Sequence, residues 1–269
     1  MSHPIPLTDP LSIAWLQWCI NEGIPTNTTA RRLATLRSMP SAGTATREDV
    51  EAWWAARTDH APASRANDLA NLRSFYRWCR RWEHRPPTDD PTHRIDSPKV
   101  PKGLPRPMSR ADLNHLLDVL PPDMRRAAAL GAWAGLRVSE AASQDWADID
   151  LELNRIRVLG KGSKTRQVGL SVLLLDALLP NTGGNVVAAG GKPSSASVLQ
   201  RRVNRAFETA GVHATFHQLR HRFGTIALAN GANLLAVSRA MGHASVSTTA
   251  GYVWTSDAEL DIIAAAVTR

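Results

Sequence analysis

The stretch from residue 84 to 107, HRPPTDDPTHRIDSPKVPKGLPRP, holds seven of the chain's 17 prolines and almost no periodic apolar residues. Proline locks φ and offers no N–H, so a helix cannot run through such a segment. The 269 residues are therefore expected to fold as two units of unequal size joined by an extended basic linker. The expected boundaries are 1–83 for a helical unit, 84–108 for the linker and 109–269 for a larger mixed unit.

Helical signals dominate the first unit. Thr46 and Asp49 have capping-box spacing ahead of Val50, Trp53 and Trp54. Further on, Leu69, Leu72, Tyr76 and Cys79 recur at steps of three and four, which puts them on one helix face. Arg65, Arg73, Arg77, Arg80 and Arg81 project in other directions, either as a solvated charged surface or as a helix lying along phosphates. In the second unit Ser109 and Asp112 repeat the capping-box spacing before Leu113, and helical MRRAAALGAWAG and a short SEAASQ helix follow. Two β-like runs, RIRVL (155–159) and TRQVGL (165–170), are joined by GKGSK. From Ser194 onward the pattern is of successive helices broken near Gly211, Gly231 and Gly242. The fold class expected is mainly α, with a small antiparallel hairpin or sheet on one edge of the second unit.

Lys plus Arg number 32 against 24 Asp plus Glu, a net charge of +8. Residues 1–108, the first unit with the linker, and residues 109–269 each carry about +4, so a polyanionic partner would be touched by both halves. In the linker Arg85, Arg94, Lys99, Lys102 and Arg106 could follow a phosphate backbone. No apolar run reaches membrane-spanning length and the N-terminus lacks a signal-peptide pattern, so a cytoplasmic protein is expected. Cys19 and Cys79, the two cysteines, lie in apolar, tryptophan-bearing stretches that suit packed thiols better than a bridge or a metal site.

Breaking a phosphodiester without a metal requires fixed cationic donors on the phosphate oxygens, a nucleophile and a proton donor for the leaving oxygen. Three stretches could supply them. In AGLRVSE, Arg137 follows a glycine break at the start of a helix, with Glu140 three residues on; a plain Arg137–Glu140 salt bridge is the ordinary alternative. In TFHQLRHR, His217 and Arg220 share a helix face. In MGHASVSTTAGY, His243 follows a helix-ending glycine and Tyr252 comes nine residues later. The chain's other tyrosine, Tyr76, falls on an apolar helix face, which leaves Tyr252 as the phenolic nucleophile. The acids at 145–152 lack His or Cys partners for a metal, and the glycines around Lys161 do not follow the order of an ATP-binding phosphate loop.

AGLRxSE, HxLRH and GHxSxxTTxxY, in this order and together with GKGSKTR, resemble the tyrosine recombinase (phage integrase) family over about 137–254. The resemblance extends loosely to the N-terminal unit, which looks like the family's core-site DNA-binding domain. It implies that Arg137 and Arg220 clamp the non-bridging oxygens of the scissile phosphate, with His243 adding a hydrogen bond. Tyr252 would attack phosphorus to give a 3′-phosphotyrosyl link. Lys161, at the hairpin tip and matching the family's first lysine of GKG, is preferred over nearby Lys164 as the acid that would protonate the departing 5′ oxygen, and His217 would assist proton transfer and orient the phosphate. Glu140 would support the site by orienting Arg137 or His217, while Lys164 and Arg166 would meet flanking phosphates.

The implied activity is site-specific recombination of double-stranded DNA through a Holliday junction, by a homotetramer on DNA, serving phage or mobile-element integration and excision. No cofactor is expected, because the phosphotyrosyl ester conserves the energy of the broken bond. The residues after Tyr252, with Leu260, Ile262 and Ile263, resemble a tail that docks on its own or a neighbouring subunit. Two other readings remain open on the residues alone: a type IB topoisomerase-like enzyme that nicks and reseals one strand, and a DNA-binding protein without catalysis.

Overall fold

The computed structural model describes residues 7–39, 41–101, 106–160, 164–180, 183–188 and 195–243. The chain divides into two compact units, Met1–Lys102 and Gly103–Arg269.

The first unit is built from α1 (Pro10–Asn21), α2 (Thr26–Arg37), α3 (Arg47–Ala55) and α4 (Pro62–Arg81). Thr46 and Asp49 form the expected capping box at the start of α3. Leu69, Leu72, Tyr76 and Cys79 are fully buried along one face of α4, and Trp15 packs on Phe75 with ring centroids 5.4 Å apart. Cys19 and Cys79 are buried free thiols.

The proline-rich stretch differs in its first half from the extended linker expected over 84–108. Ile95 is buried in the first unit's core, and its carbonyl accepts from Arg73 of α4. Arg80, also on α4, pairs with Asp90, while Arg85 donates to Asp89 and to the Ala45 carbonyl. Proline forbids a helix there but not packing, so residues 84–95 are held to the first unit as a series of turns.

The second unit opens with α5 (Arg110–Val119), capped by Ser109, and continues through α6 (Pro122–Ala134) and α7 (Val138–Ser143). A 3-10 turn over Trp146–Asp148 leads into β1 (Ile149–Asp150), β2 (Arg155–Leu159) and β3 (Thr165–Gly169). These pair antiparallel in the order β1-β2-β3, with Val158 opposite Arg166. The hairpin lies where the residue pattern puts it; the two-residue β1 adds an edge that was not expected. Then come α8 (Val172–Leu178), α9 (Ala196–Thr209), α10 (Phe216–Ala229) and α11 (Leu234–Met241). Among the described residues no helix is long and apolar enough to cross a membrane.

Small residues set the geometry of this unit. On α6, Ala127, Ala128, Ala129, Gly131 and Ala132 are buried, and α10 packs directly on this helix. A Cβ at Gly131 would come 3.0 Å from Leu219 Cβ and 3.1 Å from Phe216 Cζ, so any larger residue would push these neighbours back by a few tenths of an ångström. That packing brings the end of α6, where Arg137 follows, beside Arg220 on α10.

Candidate active site

Two helices in the second unit end on left-handed glycines: α6 on Gly135 (φ 65) and α11 on Gly242 (φ 63). The last carbonyls of a helix have no partner within it and carry its negative end, so they attract cations. Arginines collect on both ends. Arg220 donates to the Gly135 and Met241 carbonyls, each at 2.6 Å. Arg137 donates to the Gly242 carbonyl at 2.7 Å, and Arg166 donates through Nε to the Ala240 carbonyl at 2.6 Å.

A single carboxylate ties the three together. Glu140, 5% exposed, accepts from the Arg137 backbone N–H at 2.7 Å and from Arg137 Nη1 at 2.8 Å. Arg166 forks onto both Glu140 oxygens at 2.8 Å, and Arg220 Nη1 approaches to 3.8 Å. Burial pushes the Glu140 pKa up, but the bonds from Arg166 and Arg137 outweigh it and hold the carboxyl below its ordinary range. Glu140 is therefore an anion that gathers guanidinium groups from three segments distant in sequence. The salt bridge to Glu140, the ordinary alternative for Arg137, is present at 2.8 Å.

The imidazoles face this cationic cluster. His243 follows Gly242, and its backbone N–H is pinned to the Ser238 carbonyl at 3.1 Å. Burial, then Arg220, Arg137, His217 and Arg166, push its pKa down to about 4. His217 stands in the first turn of α10 with part of its ring in solvent; burial of the remainder, then Arg220 and Arg137, lower its pKa as well. Its ring meets that of His221 edge-on, centroids 4.2 Å apart. Both His243 and His217 are thus neutral near pH 7, each able to donate one N–H and accept at the other nitrogen.

Of the six residues expected to carry catalysis, four are described, and Arg137, His217, Arg220 and His243 come together around Glu140. Lys161 and Tyr252 lie outside the described residues. Gly160, which precedes Lys161, adjoins the cluster: a Cβ there would lie 3.7 Å from Arg166 Nη1 and 3.9 Å from Glu140 Oε1. Tyr76 is fully buried and its pKa is raised by that burial, so it is unsuited to act as a nucleophile. A groove of about 1020 Å³ beside α5 and α9, lined by His115, Met124 and Arg205 among others, contains none of these residues.

The cations expected on DNA divide in two. Arg77, Arg81, Lys99 and Lys164 are exposed, and Lys102 lies outside the described residues. Others are engaged within the protein: Arg65 lies 4.3 Å from the Trp54 ring centroid, Arg73 and Arg80 hold the proline-rich stretch, and Arg166 is 12% exposed on Glu140. The assignment of Arg166 to a flanking phosphate missed its place inside the site. The signal that could have found it is the two-residue period of β3, which puts Arg166 on the same side as buried Val168.

Residues 108–259 match the model of the phage integrase family. The chain is 33% identical over 221 residues to tyrosine recombinase XerC of Myxococcus xanthus, covering 72% of each protein. In fold it resembles lambda integrase residues 75–356 solved as a dimer on a COC′ core site, with a TM-score of 0.75, 17% identity and 91% and 97% of the two chains covered. A lambda integrase tetramer bound to a Holliday junction gives a TM-score of 0.73 at 16% identity, covering 92% and 79%. The gathered arginines and imidazoles, the family match and the identity to a Xer recombinase agree, and the chain belongs to the phage integrase family of site-specific tyrosine recombinases.

Proposed function

We propose that the cluster around Glu140 is the scissile-phosphate site and that Tyr252 is its nucleophile. The observation that carries this reading is the convergence of three guanidinium groups on one buried carboxylate beside two neutral imidazoles. Among the described residues three cations against one anion leave an excess of two positive charges. A phosphodiester carries one negative charge, and its pentacoordinate state carries about two, so the field is matched to the transition state.

In this mechanism Arg137, whose side chain is 39% exposed, meets a non-bridging oxygen directly. Arg220, 1% exposed, adds a fixed positive charge beneath it, and His243 donates its N–H to the phosphate. Tyr252 oxygen bonds to phosphorus as the P–O5′ bond breaks, the phenolic proton leaving by way of His217 and the 5′ oxygen taking a proton from Lys161. A 3′-phosphotyrosyl ester and a free 5′ hydroxyl result. Attack by the 5′ hydroxyl of a second strand reverses these steps and joins the strands exchanged. Lys99, Arg77, Arg81 and Lys164 supply contacts to flanking phosphates, and a tetramer of the chain forms the Holliday junction. The setting is the cytoplasm, where a phage or mobile element meets host DNA.

Paired assays test the reading. The chain should exchange strands between two copies of its site and accumulate SDS-stable adducts on a nicked suicide duplex. Tyr252→Phe should bind the same duplex and form none. Relaxation of supercoiled DNA without a partner site, in the absence of strand exchange, would favour a type IB topoisomerase-like activity. A 5′-bridging-sulfur duplex should rescue Lys161→Ala; rescue of Lys164→Ala instead would move the acid to Lys164.

A further inference from the structure

Arg166 is the one cation of the cluster to which the mechanism gives no task. Its side chain is 12% exposed, too enclosed to cover a phosphate on the outside of a duplex. Three of the five N–H donors of its guanidinium are committed: one terminal nitrogen to each Glu140 oxygen at 2.8 Å, and Nε to the Ala240 carbonyl at 2.6 Å. These contacts join three elements. Arg166 belongs to β3, Glu140 to α7, and Ala240 to the last turn of α11, two residues before the glycine that introduces His243. The packing leaves little room for an alternative placement, since a Cβ on Gly242 would lie 3.0 Å from Arg166 Nη1.

We infer that Arg166 is a positioning residue and not a DNA contact: it locks the β2–β3 hairpin and the end of α11 onto Glu140, so that Arg137 and His243 are set on one phosphate. The inference rests on the reading of Arg137 and His243 as phosphate ligands. A planar fork is essential to the task. Arg137 reaches one Glu140 oxygen through its backbone N–H and the other through Nη1, and the Arg166 fork adds a second donor to each oxygen while a third N–H reaches α11. Lysine would keep the charge but could not satisfy both ends. Orienting partners of this kind change rates by about 10–100-fold where they support metal ligands, and a comparable loss is expected here.

The test uses full-length wild type, Arg166→Lys, Arg166→Gln and the double variant Glu140→Gln/Arg166→Gln. Single-turnover cleavage of the suicide duplex should fall about 10–100-fold in both single variants at saturating DNA. Affinity for a short mixed-sequence duplex, and its dependence on salt, should stay at the wild-type values. The double variant should cleave no worse than Glu140→Gln alone, because the two side chains act as one unit. In an NMR titration the His243 midpoint should rise in Arg166→Gln, which removes a neighbouring cation and leaves Glu140 less neutralised. A salt slope lower by about one, with cleavage restored by more DNA, would make Arg166 a phosphate contact and overturn the inference. An unmoved His243 midpoint would overturn it as well. If wild type itself formed no Tyr252 adduct, the catalytic reading would fail, while the salt slope and the His243 titration would still decide the placement of Arg166.

Discussion

Glu140 and Arg220 show how far a buried charge depends on its partners. Arg220 is 1% exposed and is tolerated because two helix-terminal carbonyls and a carboxylate surround it. Removing Glu140 would leave that guanidinium and Arg166 undercompensated, so Glu140→Ala should cost about 3–5 kcal/mol in chemical denaturation. Arg137→Gln, at a side chain 39% exposed, should cost less than about 1 kcal/mol yet abolish adduct formation. His243 gives a pH signature. Its pKa falls from 6.5 to about 4 in the fold, so between those values the unfolded chain binds a proton that the folded one does not. The His243 contribution is therefore fully present above pH 6.5 and is lost as pH falls toward 4. Urea midpoints measured across that window should decline in wild type and decline less in His243→Gln.

At the scale of elements, the glycine caps carry the site. Gly135 has φ 65, and a Cβ there would come 2.5 Å from Phe223 Cδ1. Gly135→Ala combines left-handed strain with a ring clash and should lower stability by roughly 1–3 kcal/mol in thermal or denaturant unfolding. The local pattern showed most of this framework in advance. The breaks at Gly211, Gly231 and Gly242, the α4 apolar face and the 155–169 hairpin all rest on near-neighbour spacing, which a sequence displays directly. Arg137, His217, Arg220 and His243 were legible because their motifs recur together. Two things were not: the packing of Ile95 and Asp90 onto α4, and the fork from Arg166 to Glu140. These are contacts between residues ten or more positions apart, decided by which faces meet. Composition made the proline-rich stretch look purely extended, since proline reports what the backbone cannot do and not what its neighbours will hold.

For the whole molecule, the positive charge is spread over both units, about +3 on residues 1–102 and about +5 on residues 103–269. Binding to duplex DNA should therefore weaken steeply with salt, and charge removal in either unit should reduce the slope. Substituting exposed Arg77 and Arg81 in the first unit, or Lys164 in the second, should lower the slope by about one per cation, whereas Arg73→Gln should act mainly on stability. Among the described residues the site lies wholly within the second unit, so charge changes in the first should alter binding without altering cleavage at saturating DNA. The central claim is that the phosphate gripped around Glu140 is attacked by Tyr252. Its most direct test is to trap the protein on a suicide duplex, digest the adduct with protease and nuclease, and identify the nucleotide-bearing peptide by mass spectrometry. The account predicts a single modified peptide containing Tyr252. A nucleotide on Tyr76 or on any other side chain, or strand cleavage by Tyr252→Phe, would contradict it.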